Sequence, residues 1–175
     1  MAERIEFRLS GSGGQGVISA GIILASAAVL DGRHAIQSQS YGPEARGGAS
    51  RAEVIISDET IDYPKATIPD YLLCLTNESF RLYGRTADSK TVVFVDDSLD
   101  TSDYDRPLIR VPITKTAREL NPQGANVVAV GFLAGYTGIV SRQSLIDALV
   151  EQFPRFVDKN MKCVEAGFAF AKTLK

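Results

Sequence analysis

The sequence has little of what most reactive centres are built from. Its 175 residues include one histidine, His34, and two cysteines, Cys74 and Cys163. The cysteines lie far apart and in no paired motif, so no iron–sulfur ligand run is present. With no export signal in view they read as free, buried thiols. His34 precedes a strand pattern and has no cysteine beside it in sequence, so it reads as structural or exposed rather than catalytic. An excess of one charge is also missing. The net charge is -2, with no basic patch or tail, which gives no footprint for nucleic acid or for an anionic membrane surface. The longest apolar stretch, Val17 to Leu30, is interrupted by glycine and serine and is shorter than the roughly 18 residues of a membrane span. Arg4, Glu6 and Arg8 followed by a glycine loop do not make a signal peptide, so a cytoplasmic location is expected.

What is present is the material of one core. The chain is 45% hydrophobic, with no internal repeat and no low-complexity segment, and residues 1–175 read as a single domain. Arg4 to Ser10 alternates apolar and charged residues and predicts a strand; Val17 to Asp31 is apolar on nearly every face and predicts a buried helix stopped at Gly32. His34 to Ser40 predicts a second strand closing a β-α-β unit. Further strands are expected at Ala49 to Ser57, Tyr71 to Leu75, Thr91 to Val95 and Leu108 to Ile113, with irregular chain from Asp58 to Pro69 and a short helix at Asn77 to Arg85. Helices follow at Asn126 to Tyr136, Ser141 to Phe153 and Arg155 to Leu174, with Ser141 and Ser144 marking the start of the second and Pro154 dividing the last two. The expected fold is α/β: a Rossmann-like domain with a mostly parallel sheet and helices on both faces.

Two loops carry the chemistry. Gly11-Ser12-Gly13-Gly14-Gln15-Gly16 fits G-x-G-x-x-G between a strand and a helix. Glycines there allow close approach to the backbone, and helix N-terminal amides attract negative charge. A dinucleotide site also wants an acid at the end of the second strand, where this chain has Gln37-Ser38-Gln39-Ser40; NAD is disfavoured and another phosphate-bearing ligand preferred. A bland alternative is that the glycines serve only tight helix packing. The second loop is Tyr41-Gly42-Pro43-Glu44-Ala45-Arg46-Gly47-Gly48, whose proline and glycines specify a shaped turn. In an open α/β sheet the loops after successive strands meet at the carboxyl edge, so the two loops are expected side by side. Arg46 suits a phosphate, a carboxylate on a partner chain, or Glu44 within its own loop. Arg51 reads as a surface residue at a strand start.

The run G-S-G-G-Q-G, then Q-S-Q-S-Y-G-P-E-A-R-G-G-A-S-R-A-E-V, then the N-x-x-x-x-G helix from Asn126 to Gly131, resembles the gamma subunit of 2-oxoacid:ferredoxin oxidoreductases, most of all the 2-oxoglutarate type. The likeness spans essentially the whole chain and implies the fold of pyruvate:ferredoxin oxidoreductase domain III. In that family a 2-oxoacid is oxidatively decarboxylated on thiamine diphosphate, coenzyme A accepts the acyl group, and iron–sulfur clusters pass electrons to ferredoxin.

The resemblance therefore implies an accessory subunit. This chain has no G-D-G motif for magnesium-bound thiamine diphosphate and no cluster-binding cysteines, so neither a catalytic residue nor a metal site is expected on it. Thiamine diphosphate, magnesium and iron–sulfur clusters would reside on partners: thiamine-binding alpha and beta subunits and a ferredoxin-like delta subunit. The isolated chain would be inactive, with a homodimer as one form it can take. Relatives place coenzyme A on the corresponding domain, which carries Gly11, Gly13, Gly14, Gln15 and Gly16 over as its loop, with Arg46 and Asn126 as further contacts. Asn126 has a second reading as a helix N-cap for Val127 onward. Tyr41, Gly42, Pro43, Glu44, Arg46, Gly47 and Gly48 would form the interface with the thiamine-bearing subunits and part of the active-site wall. The alternatives are a freestanding Rossmann-type nucleotide-dependent enzyme and a purely structural assembly module.

Overall fold

Alternation along the first strand decides which way the sheet faces. In the computed structural model, which describes residues 3–41 and 48–175, β1 (Arg4–Ser12) turns Phe7 and Leu9 into the core at 0% and 1% exposure. Arg8 faces the other side. The strand runs two residues further than its alternation predicts, because Gly11 and Ser12 still pair with Ser50 and Ala49. Helix α1 (Val17–Leu30) follows and stops where expected. Gly32 takes φ +79°, and Arg33 N–H to Ala28 O with Gly32 N–H to Val29 O, both 2.9 Å, complete a Schellman termination.

Strands β2 (His34–Tyr41) and β3 (Ala49–Ser57) form an antiparallel hairpin, and β4 (Tyr71–Cys74), β5 (Val92–Asp96) and β6 (Ile109–Val111) complete the sheet. The order is β2-β3-β1-β4-β5-β6. β3 runs antiparallel to both β1 and β2; the pairs β1–β4, β4–β5 and β5–β6 are parallel. The mostly parallel α/β sheet is thus as expected, with one difference. The β1-α1-β2 unit does not close on itself, since β3 folds back between its strands.

One face is covered by α1, α3 (Ile113–Leu120), α4 (Ala125–Thr137), α5 (Arg142–Gln152) and α6 (Val157–Thr173), which pack Ile23, Leu24, Val128, Phe132 and Leu145 onto Phe7, Val54, Leu73 and Phe94. The other face is covered over β4 and β5 by α2 (Asn77–Ser79) and the π-helical turn Phe80–Gly84, around Leu72, Cys74, Phe80 and Val95. The irregular segment after β3 lies along the outer face of β1, accepting from Arg4 at Tyr63 O and from Arg8 at Ala66 O. α4 is the most enclosed helix. It crosses α6 so closely that a Cβ on Gly167 would lie 2.3 Å from Val128 O.

The expected strand Leu108 to Ile113 is shorter, and α3 begins where it was to end. Ile113, Ala117 and Leu120 stand at i, i+4 and i+7 and turn one apolar stripe of this eight-residue helix to the core, a helical period that the preceding strand run obscures. Its start is set by a tertiary partner: buried Asp96 accepts from Thr114 N at 2.7 Å and Thr114 Oγ1 at 2.8 Å. Ser141 caps α5 through Ser144 N, as its spacing predicts. Both thiols are free and buried; burial pushes Cys74 up to about 12. No helix among the described residues is long and apolar enough to cross a membrane.

Candidate functional site

At the carboxyl end of β1 the chain turns through Gly13 and Gly14 into α1. Gly16 is its N-cap at φ +70°, and no side chain caps the helix. The first intrahelical bond is Ala20 N–H to Gly16 O, so the amides of Val17, Ile18 and Ser19 have no intrahelical acceptor. No acid sits in the first turn to offset the positive end of the helix.

The glycines of this loop are not equivalent. Gly11 is buried; a Cβ there would meet Gln15 Oε1 at 2.5 Å. Gly16 needs its positive φ and would strike Asn126 Nδ2 at 2.6 Å. Both are demanded by the chain's own packing. Gly13 and Gly14 are exposed, have ordinary φ, and leave room: Gly13 would meet only Ser50 Oγ at 3.8 Å and Gly14 nothing within 4 Å. Nothing inside the chain requires these two to lack a side chain. Gln15 fastens the loop, its Oε1 accepting from Ser12 N at 2.8 Å and its Nε2 donating to Leu75 O at 3.5 Å.

Asn126 comes to the same place from α4. It is 5% exposed, and its Oδ1 is buried without a hydrogen-bond partner among the described residues. Gly124 is the N-cap of α4, so the N-cap reading of Asn126 does not hold. Two helix N-termini, α1 and α4, therefore meet at Gly16 and Asn126, neither capped by a side chain nor carrying an acid in its first turn. The arrangement attracts an anion and offers an unused acceptor to a ligand hydroxyl or amide.

Of the second loop, Gly42, Pro43, Glu44, Arg46 and Gly47 lie outside the described residues. Its ends do not. Tyr41 pairs with Ser50 and Ala49 with Ser12, so the segment leaves and returns beside the glycine loop. The hairpin explains this: two antiparallel strands next to β1 must be joined at one of its ends, and the joint falls at the carboxyl end. Gly48 is half-buried. The last residues of β2 place no carboxylate at that edge, consistent with the case against NAD.

Sequence reading missed one group. Arg51 is more than a surface residue at a strand start. On the face of the sheet away from α1, it pairs across the sheet with Ser10 and Ser40, and its guanidinium lies 5.6 Å from the centre of the Tyr83 ring. Its Nε is 3.6 Å from Glu53 Oε1, which also accepts from Arg8 Nε at 2.9 Å. The alternation Arg51, Glu53 opposite Arg8 was the available signal, hidden until β3 is known to pair with β1.

Elsewhere, a groove of about 490 Å³ runs between Lys90, Val92, Tyr104, Arg106 and Tyr136. It opens at the amino ends of β5 and β6, away from both loops, where an open parallel sheet does not place its ligand. His34 is exposed at the start of β2, on that same far side. No group of three metal-ligating side chains occurs among the described residues.

The arrangement has relatives. Residues 6–170 match the family described as pyruvate ferredoxin/flavodoxin oxidoreductase. The chain belongs to that family. It is 44% identical over 179 residues to the 2-oxoglutarate synthase subunit KorC of Methanocaldococcus jannaschii, covering 98% of this chain and 96% of that protein. The crystal structure of a keto/oxoacid ferredoxin oxidoreductase gamma subunit from Geobacter sulfurreducens superposes with a TM-score of 0.83 at 39% identity, covering 98% of each chain. A 2-oxoglutarate:ferredoxin oxidoreductase from Magnetococcus marinus, solved with 2-oxoglutarate, coenzyme A and succinyl-CoA bound, shares the fold. Its TM-score is 0.89 at 22% identity, over 99% of this chain and 32% of that one. The resemblance drawn from the two loop motifs is borne out. In this member of the family the glycine loop, the end of β2, the start of β3 and the start of α4 lie along one edge of the domain.

Proposed function

We propose that the chain is the gamma subunit of a 2-oxoacid:ferredoxin oxidoreductase, of the type that makes succinyl-coenzyme A from 2-oxoglutarate, and that it holds coenzyme A for the complex. In this reading the diphosphate rests on the amides of Gly13, Gly14 and the first turn of α1, with Asn126 accepting from a ligand hydroxyl or amide. Arg46 adds charge from the hairpin loop, and Tyr41 to Gly48 faces the thiamine-bearing subunits. In the same reading thiamine diphosphate, magnesium and iron–sulfur clusters belong to alpha, beta and ferredoxin-like delta partners, which carry out the decarboxylation and electron transfer in the cytoplasm; membership of the family supports it. This chain orients the acyl acceptor and closes one wall of the site.

The observation carrying the proposal is the meeting of two uncapped helix N-termini at a buried, unpartnered Asn126 Oδ1, beside two exposed glycines the fold does not need. One observation favours a second reading: Gln15 already occupies the Ser12 amide, as a purely structural loop would have it. Gly14→Asp separates them, since the position is open and the added charge faces the ligand. In the complex purified with its partner subunits, the coenzyme A site predicts at least a tenfold rise in KM for coenzyme A with unchanged KM for the oxoacid. An unchanged KM for coenzyme A would leave the loop structural.

A further inference from the structure

Helix α1 has a flank that neither the core nor the glycine loop uses. Its 14 residues, Val17–Leu30, include no charged side chain, whereas a helix at the rim of a domain ordinarily turns charge to solvent. The buried face runs through Ala20, Leu24, Ala27 and Ala28. On a different face, Ile18, Ile22, Ala25 and Val29 stand at i, i+4, i+7 and i+11, the spacing of a single apolar stripe. The first three are half-buried and Val29 is 58% exposed.

The stripe turns toward the end of the sheet. At about 100° of rotation per residue it lies opposite the buried Ile23 and Ala27 and beside Gly21. A Cβ on Gly21 would meet Gln37 Cγ of β2 at 3.4 Å, so this flank leans over β2, the last strand on that side. β2 is uncharged from Ala35 to Tyr41 and pairs with β3 without a bulge. Ala35, Gln37 and Gln39 share the α1 side of the sheet, being paired with core residues Ile56, Val54 and Ala52. They form the floor of a shelf whose wall is the stripe, and α1 is the one helix packed along β2 among the described residues.

A wall with this spacing fits a second helix lying about 8–10 Å from α1. The lack of charge suits a permanent contact with a helix that is itself uncharged there. A second copy of this chain is a poor occupant. Three of the four stripe residues are already half-buried, so two copies meeting here would bury far less than the roughly 800 Å² per chain of a stable dimer. The shelf belongs to a larger contact, and one adjoins it. β2 ends at Tyr41 and α1 begins after Gly16, where the loop Tyr41 to Gly48 is proposed to meet the thiamine-bearing subunits.

We propose that the stripe Ile18, Ile22, Ala25 and Val29, with the β2 shelf beside it, seats an uncharged apolar helix of a thiamine-bearing subunit. The proposal rests on the reading of this chain as a subunit of that complex, and extends the contact from one loop to the length of α1. Because α1 opens at the glycine loop, the same contact fixes that loop relative to the partner.

The test introduces single cysteines, since both native thiols are buried. Ile22→Cys is expected to react with a maleimide at least tenfold more slowly in the complex with the partner subunits than in the isolated chain. A benzophenone attached at Val29→Cys, the exposed end of the stripe, is expected on irradiation of the complex to join this chain to a thiamine-bearing subunit. Equal labelling rates, or cross-links only to a second copy or to another kind of subunit, overturn the proposal. Ile22→Lys is expected to leave the melting temperature of the isolated chain unchanged and to cut its co-purification with the thiamine-bearing subunits at least tenfold. Undiminished co-purification overturns the docking surface, and the cysteine measurements decide the matter if that variant does not fold. The reading beneath the proposal fails differently. A wild-type chain that joins no thiamine-bearing subunit overturns both, whereas a complex that forms while the Ile22→Cys thiol stays reactive overturns the docking surface alone.

Discussion

The side chain of Asn126 fills the space that a Cβ on Gly16 would need: the two would stand 2.6 Å apart. Gly16 also sits at φ +70°, so it is constrained twice, by backbone and by neighbour. Gly16→Ala is expected to destabilise the chain by about 1–3 kcal/mol. Gly14→Ala, two residues away at an open position with ordinary φ, is expected to change stability by less than about 0.5 kcal/mol. Urea denaturation of the two variants measures the contrast; equal losses would show that the glycines share one structural duty.

Asn126 itself makes the opposite kind of prediction. A buried acceptor without a partner costs stability, so replacing it by an apolar side chain of similar volume removes the cost. Asn126→Leu is expected to hold or raise the melting temperature while weakening coenzyme A binding to the complex at least tenfold. Thermal denaturation and calorimetry together check it. A lower melting temperature with unchanged affinity would make Asn126 a packing residue.

Much of this edge is legible in the residues. The alternation Phe7, Leu9 marks β1, Gly32 stops α1 as its position predicts, and G-S-G-G-Q-G lies between strand and helix. Pairing is less legible. The apolar pattern of Val54-Ile55-Ile56 announces a buried strand but not its neighbours, so the insertion of β3 between β1 and β2 stays hidden, and with it the approach of Arg51 to Arg8 and Glu53. The second reading of Asn126, as a cap, fails for a related reason. Its helix starts at Ala125, one residue earlier than the apolar run implies, because Gly124 takes the cap without any side-chain signal. α3 is missed although Ile113, Ala117 and Leu120 carry a helical spacing, because the strand run before it obscures a start that depends on Asp96, 18 residues upstream.

Asp31 ties the end of α1 to the start of α5. Its carboxylate accepts from Ser141 N, from Ser141 Oγ at 2.7 Å and from Ser144 Oγ at 2.6 Å. Burial pushes its pKa up, but these hydrogen bonds and the charge of Arg33 outweigh it, and the pKa falls below the usual 3.8. With the folded pKa below the unfolded one, the stabilisation is fully present above the unfolded value and is lost as pH drops through the folded value. Asp31→Asn is therefore expected to cost of the order of 1 kcal/mol at pH 7, from the weakened hydrogen bonds, and to cost progressively less below pH 4. Stability measured from pH 2 to 7 on both chains tests it; a constant difference would rule out the carboxylate as the cause.

The two thiols are expected to be inert in the folded chain. Burial raises both, Cys74 to about 12, where almost no thiolate exists at neutral pH, even though Ser10 donates a hydrogen bond to its sulfur. Iodoacetamide at pH 8 is expected to label neither native cysteine within an hour and both within minutes in urea. Rapid native labelling at Cys74 would mean that the α2 side of the sheet opens readily.

The crossing of α4 and α6 connects the core to the site. A Cβ on Gly167 would meet Val128 O at 2.3 Å and Phe132 N at 2.5 Å, and one on Gly131 would meet Val164 O at 2.4 Å. These are backbone atoms, so no side-chain rotation relieves the clash; the helices must part. Gly167→Ala is expected to cost about 1–3 kcal/mol or more. Because α4 begins at Ala125 and carries Asn126 against Gly16, parting it from α6 also moves the acceptor relative to α1. Coenzyme A affinity is then expected to fall together with stability, although Gly167 lies on a helix that does not reach the glycine loop. Gly14→Asp, by contrast, lowers affinity alone. Paired measurement of melting temperature and coenzyme A affinity on the two variants decides the point. A Gly167→Ala chain that melts earlier but binds as tightly would show that the start of α4 is held by α1 rather than by α6.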